Sequence, residues 1–214
     1  MTPERLRTVL GETPVPYGTW AEEAVFLSTA TARPGGRPEE MARRSRLLPG
    51  VAHVRVQPNG FLLITVTEPG EIVTALPAVP LGVVTTPPAA PPSWDNPGFV
   101  LRFAHARAAA VIRWAADLGV PAEPFVPAFL GTPYDRAVLR ALSELPSRTR
   151  SRRPRWPAYA QTLALAYHDA HERTRAVPAG DEPAGGTHTA RVRLAAAVQE
   201  VLAGLSADPL PDRL

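Results

Sequence analysis

The chain has 214 residues, enough for one large domain or two small ones that bury their cores without metals or disulfides. Cysteine and lysine are both absent and all 23 basic residues are arginine, which excludes disulfides, thiolate metal sites, a cysteine nucleophile, a phosphate-loop lysine and a Schiff-base lysine. The net charge of +3 belongs to the second half, since residues 1–84 hold 8 Arg against 8 acids and residues 85–214 hold 15 against 12.

In chain order, Thr2-Pro3-Glu4 starts a helix with proline in its first turn and Leu6, Val9 and Leu10 on the buried side. Thr19 and Glu22 have capping-box spacing and predict a second helix carrying Trp20, Ala24 and Leu27. A third begins at Pro38, with Glu39 and Glu40 in its first turn, Arg43, Arg44 and Arg46 in its last, and Gly50 as a stop. Residues 51–56 and 61–67, joined by Gln57-Pro58-Asn59-Gly60, read as a β-hairpin with Val54, Val56, Leu62 and Ile64 on the sheet face. Pro77, Pro80, Pro87, Pro88, Pro91 and Pro92 mark residues 77–94 as a proline-rich linker.

Beyond the linker the pattern is helical. Phe99, Phe103, Ala110, Val111, Trp114 and Leu118 predict one apolar side of a long helix, with Arg107 in the middle of that stripe, buried and paired. Thr132-Pro133 opens a helix with Val138, Leu142 and Leu145 inward; Trp156, Tyr159, Leu163, Tyr167 and Ala170 line another; Leu194, Val198, Val201, Leu202 and Leu205 line the last. The expected fold is α+β: a small N-terminal α+β domain over 1–76, the linker 77–94, and an all-α helical bundle over 95–214. No signal peptide and no long apolar run occur, which points to a cytoplasmic protein without a membrane partner.

His168 and His171 have one acceptable metal-ligand spacing, but only His188 could add a third ligand, so no metal is expected. The adjacent acids Glu22-Glu23, Glu39-Glu40 and Asp181-Glu182 point apart or lie in loops. Gly35-Gly36 and Gly185-Gly186 lack the strand–turn–helix setting of a phosphate loop and read as loops, and no serine sits in a nucleophile elbow. What remains is basic: Arg148, Arg150, Arg152, Arg153 and Arg155 fall within eight residues, followed by Trp156 and Tyr159, and no acid lies between Glu144 and Asp169. Arginine with flanking aromatics suits RNA, through phosphate pairing and base stacking, although a solvated loop has the same composition. Arg102 and Arg113 share the polar side of the first long helix, and His168, His171 and Arg175 follow on the third, as further RNA-binding candidates.

The run from Asn96-Pro97-Gly98-Phe99 through Arg102-Phe103-Ala104-His105-Ala106-Arg107 resembles the first helix of the DALR anticodon-binding domain of arginyl-tRNA synthetases. Asn96, Phe103, His105 and Arg107 carry the motif. Tyr159, Leu163-Ala164 and Tyr167-His168 resemble that domain's next conserved helix, residues 190–203 its last, and Pro211-Asp212-Arg213-Leu214 its ending. In the first half, Leu48-Pro49-Gly50-Val51 and Asn59-Gly60-Phe61-Leu62 resemble the end of the synthetases' N-terminal additional domain. Between these modules the synthetases carry a Rossmann catalytic domain with a His-x-Gly-His signature; here the proline-rich segment stands in its place and no such signature occurs. Arg102 replaces the family's usual Gln and His171 its usual Tyr.

The resemblance implies a non-catalytic relative without cofactors, whose partner is tRNA, tRNA-Arg above all, held by the anticodon arm as regulator or carrier. Delivery of tRNA to a separate enzyme or synthetase fits equally. The alternative is a protein–protein adaptor or accessory subunit built from synthetase modules without RNA binding.

Overall fold

The computed structural model describes residues 1–32 and 36–214, so Gly35 of the first glycine pair lies outside the described residues. Helix α1 (Pro3–Leu10) is capped by Thr2, whose hydroxyl accepts from the Arg5 N–H, and it ends at Gly11, which turns left-handed at φ 73°. Leu6 and Leu10 are buried.

The segment expected as a second helix is instead a turn and a strand. Thr19 accepts from the Ala21 N–H in a local side-chain turn, and Trp20 takes a positive φ of 63°, so no helix starts there. Ala24, Phe26 and Ser28 point inward while Val25 and Leu27 point outward, the two-residue period of strand β2 (Ala24–Ser28). It pairs with the short strand β1 (Val15–Tyr17), which carried no sequence signal strong enough to read. The Trp20 indole is buried, donates to the Val25 carbonyl at 2.9 Å and meets the edge of Phe26.

Helix α2 (Pro38–Arg46), strand β3 (Val51–Val56) and strand β4 (Leu62–Val66) form where expected, with left-handed Gly50 and Gly60 at the turns. The sheet is antiparallel in the order β1-β2-β4-β3. Phe26, Val54, Leu62 and Ile64 form its buried face, with α2 packed against β3 and β4.

Residues 77–94 are laid along the helical region. The Val84 N–H donates to the Leu205 carbonyl and the Ala207 N–H to the Val84 carbonyl, each at 2.8 Å, while the Thr86 and Ser206 hydroxyls share a buried hydrogen bond. The Asn96 amide donates to the carbonyls of Pro88 and Pro91, and Arg102 to that of Pro87. Gly98 lies so close to the Pro87 carbonyl that a Cβ would collide with it.

Four helices follow: α3 (Pro97–Asp117), α4 (Pro133–Thr149), α5 (Trp156–Arg173) and α6 (Gly186–Leu205). Asn96 caps α3 through its side-chain oxygen, and a Thr132–Asp135 capping box starts α4. The second glycine pair is not a loop: Gly185 caps α6 and Gly186 opens it. The inward residues of α4, α5 and α6 match the expected ones, except that Trp156 is only partly buried.

Helix α3 is rotated from its expected orientation. Leu101, Ala104, Ala108, Val111 and Ala115 face inward, whereas Trp114 and Leu118 are 45% and 51% exposed. Alanine makes this helix apolar nearly all round, so the face with the smallest side chains wins because it lets α6 approach closely. Arg107 therefore sits on the open side with its side chain 36% exposed, not buried within a stripe.

The N-terminal region meets the helices through α4. Arg136 donates to the carbonyls of Ala21 and Glu22, Arg140 to Gly18, and Arg150 pairs with Glu4 at 2.8 Å. Among the described residues no helix is long and apolar enough to cross a membrane.

Candidate nucleic-acid interface

The Arg-rich run connects α4 to α5, and its charges divide in two. Glu144, on the last turns of α4, holds Arg140 at 2.9 Å and Arg148 at 2.5 Å, both at four-residue spacing. Arg148 also donates to the Pro154 carbonyl at 2.6 Å and lies over the buried Tyr159 ring, so it fastens the loop. Burial, with Glu144 adding to it, pushes the Tyr159 phenol well above its ordinary range. Arg150 is drawn to Glu4 of α1 and to the Pro146 carbonyl. Acids from outside the run thus balance its first two arginines.

Arg152, Arg153 and Arg155 are exposed, and their guanidinium groups have no partner among the described residues. Arg155 takes a left-handed φ of 53° at the start of α5, and Trp156 behind it meets Tyr159 edge-on. Arg153 and Arg148, with Ser147, Ser151, Val15 and Pro154, border a depression of about 340 Å³ where the loop meets β1.

The remaining candidates gather near the other end of α5. Arg107 on α3 donates to His171 Nε2 at 2.6 Å, pairs with Glu172 at 3.4 Å, and lies over the Phe103 ring at 4.8 Å. Burial and the Arg107 charge hold the His171 imidazole below its ordinary pKa, with Glu172 acting in the opposite direction, so the neutral ring accepts Arg107. Burial likewise pushes the neighbouring Tyr167 phenol above its ordinary range.

Two depressions lie on either side of the Arg107–His171 pair. One, about 350 Å³, is floored by Phe103, Ala106 and Ala110, and is closed by the C-terminal residues Asp212, Arg213 and Leu214 beside Arg113. The other, about 280 Å³, lies among Val111, Trp114, His171 and the 174–179 segment that includes Arg175. The tail is pinned in place, since buried His105 donates through Nδ1 to the Pro211 carbonyl at 3.0 Å and Arg113 donates to the Asp212 carbonyl at 3.2 Å.

Of the sequence candidates, Arg107 and His171 touch directly, Arg113 and Arg175 border the depressions, and Arg102 is spent on the 77–94 segment. His168 stacks against Trp94, and His188 accepts from the Gly185 N–H to brace the start of α6. No group of three His, Asp or Glu capable of holding a metal occurs among the described residues. Arg155 and His171 are sixteen positions apart on α5, about 24 Å along its axis at roughly 1.5 Å per residue, so the candidates form two patches. Sequence reasoning missed Trp94, Trp114 and Arg213. The available signal was tryptophan itself, at Trp94 just before α3 and at Trp114 within it.

No protein-family model matches the chain, and no solved structure does. Part of the chain is similar to arginine–tRNA ligases. It is 40% identical over 114 residues to that of Clavibacter sepedonicus, a stretch covering 51% of this chain and 21% of the ligase. It is 38% identical over 130 residues to that of Frankia alni, covering 56% of this chain and 24% of the ligase. The matched stretches thus span less than a quarter of each ligase, and this chain is related to arginine–tRNA ligases over about half of its own length.

Proposed function

We propose that this chain is a non-catalytic tRNA-binding protein that holds the anticodon arm of a tRNA, an arginine acceptor, and acts in the cytoplasm as regulator or carrier. The observation that carries this reading is the open face of α3, where Phe103, Arg107 and His171 stand between two depressions. Unpaired bases of an RNA loop expose ring faces and hydrogen-bonding edges, and stacked aromatics with guanidinium groups are what recognise them. Arg113, Arg175 and Arg213 border the same depressions, and Asp212 supplies an acceptor for an exocyclic amine. Arg152, Arg153 and Arg155 supply a second, sequence-independent grip on phosphates. The partial similarity to arginine–tRNA ligases supports tRNA as the RNA concerned. In this reading residues 1–76 are an additional-domain-like module, 77–94 the connection and 95–214 the anticodon-binding module.

The non-catalytic part of the reading rests on the absence of lysine and of any glycine-rich phosphate loop in the sequence. The purified chain is expected to retain tRNA from a total tRNA pool, with arginine acceptors enriched on sequencing, and to give no ATP–pyrophosphate exchange with arginine. Recovery of the pool without enrichment contradicts the specificity. Exchange above background contradicts the non-catalytic assignment.

A second reading, as a protein adaptor, draws on the outer face of the sheet. There Val15, Leu27 and Leu63 form one cross-strand row and Tyr17 and Val25 begin the next, with Val15 41% and Tyr17 52% exposed. A chain that retains no RNA but captures a protein through this face, and loses it on Tyr17→Asp, fits that reading instead.

A further inference from the structure

We infer that Trp94 is a stacking platform for an unpaired nucleobase, a contact that rests on the RNA-binding reading above and extends it into the 77–94 segment. Trp94 stands three residues before α3 in irregular chain, a place where a large aromatic has no helical face to fill. Its ring is nonetheless fixed on three sides. It stacks on His168 with centroids 4.0 Å apart and planes 28° from parallel, and it meets Phe99 and Phe103 edge-on at 5.4 and 5.2 Å. The chain beneath is clamped by the Asn96 amide on Pro88 and Pro91 and by Arg102 on Pro87.

His168 stacks on one face of the indole, yet the residue stays 44% exposed, so much of it remains open to a further partner. A rigid, half-exposed indole binds a flat ligand with little further loss of side-chain freedom, and every nucleobase offers a flat ring. The surroundings select RNA over an apolar protein partner. Phe103 both touches Trp94 and lines the depression bordered by Arg107, Arg113 and Arg213 against the single acid Asp212. Two neighbouring bases can therefore be engaged together, one in the depression and one on Trp94, with their phosphates among the arginines. Stacking does not read base edges, so Trp94 adds affinity for unpaired segments rather than a strict preference for one base.

The test uses the full chain with Trp94→Ala and Trp94→Phe, each first shown to melt as the parent does, against a tRNA transcript and a blunt RNA duplex without unpaired bases. Trp94→Ala is expected to weaken tRNA binding about tenfold, Trp94→Phe by less than about threefold, and neither is expected to change duplex binding. The tryptophan quenching that tRNA produces in the parent should be smaller in Trp94→Phe. Unchanged tRNA affinity in Trp94→Ala overturns the assignment while the RNA-binding reading stands. Tighter binding also overturns it, since Trp94 would then cover the surface rather than form it, and so does an equal loss for tRNA and duplex. A parent chain that binds neither RNA removes both readings together.

Discussion

The Arg-rich loop and the open face of α3 lie near opposite ends of α5 and differ in the resource each has to spare. The loop offers charge above all: three guanidinium groups face solvent beside the partly buried Trp156, while Arg148 and Arg150 are committed to Glu144 and Glu4. The α3 face offers rings and depressions, with Arg107 already engaged by Phe103, His171 and Glu172. Phosphate contacts position an RNA and base contacts specify it, so the two patches divide affinity from selectivity.

The sharpest way to break that division is to remove the free charges alone. Replacing Arg152, Arg153 and Arg155 by Ser should flatten the slope of log affinity against log salt by about 2 to 3 units, at roughly 0.7 to 0.9 per phosphate contact, and leave the preference among tRNAs unchanged. Arg148→Ser should change the slope by less than about one unit and instead cost on the order of 1 kcal/mol of stability, because that side chain closes the loop onto Glu144 and Pro154. Salt titrations and thermal melts of the two variants separate these outcomes. Equal slope changes from Arg148→Ser and from the triple variant would erase the distinction within the loop.

Gly98→Ala probes the other patch. A methyl group there collides with the Pro87 carbonyl, so the 77–94 segment must lift from α3 at a cost of about 1–3 kcal/mol. Affinity for tRNA should fall toward that of Trp94→Ala while the salt slope holds. A variant with parental stability would show that the segment is not docked on α3.

The smallest effect expected is a pH step from His171. Its folded-state pKa lies below the unfolded value of about 6.5, so its neutral form contributes stability above that pH, and the contribution is lost as pH falls through the folded pKa. The groups facing it are Arg107, Glu172 and His168. His171→Gln keeps an acceptor for Arg107 and should remove this step from the stability–pH profile. A profile identical to the parent's would place the step elsewhere.

Much of the fold was legible because the signals were local. Thr2, Pro38, Asn96 and Thr132 announce their helices, and Asn59-Gly60 announces the hairpin. The Thr19–Glu22 spacing misled because a capping pattern of two residues cannot outweigh the alternation that follows it through Ser28. The orientation of α3 was hidden by its alanines, which leave the apolar pattern nearly featureless and let packing against α6 decide. The partners of the Arg run were partly hidden as well. Glu144 lies four residues before Arg148 and just outside the run, whereas Glu4 reaches Arg150 only after the N-terminal region packs on α4. Trp94 carried no periodic signal at all, and its role emerges only when the proline-rich segment is seen lying along α3.

Nuclease protection of a tRNA-Arg transcript bound to the full chain shows whether this protein grips the anticodon arm. The account predicts protection concentrated in the anticodon loop and stem, lost from the loop in Arg107→Ala and retained in the stem. Protection confined to the acceptor arm, or spread evenly over every duplex segment, would contradict it.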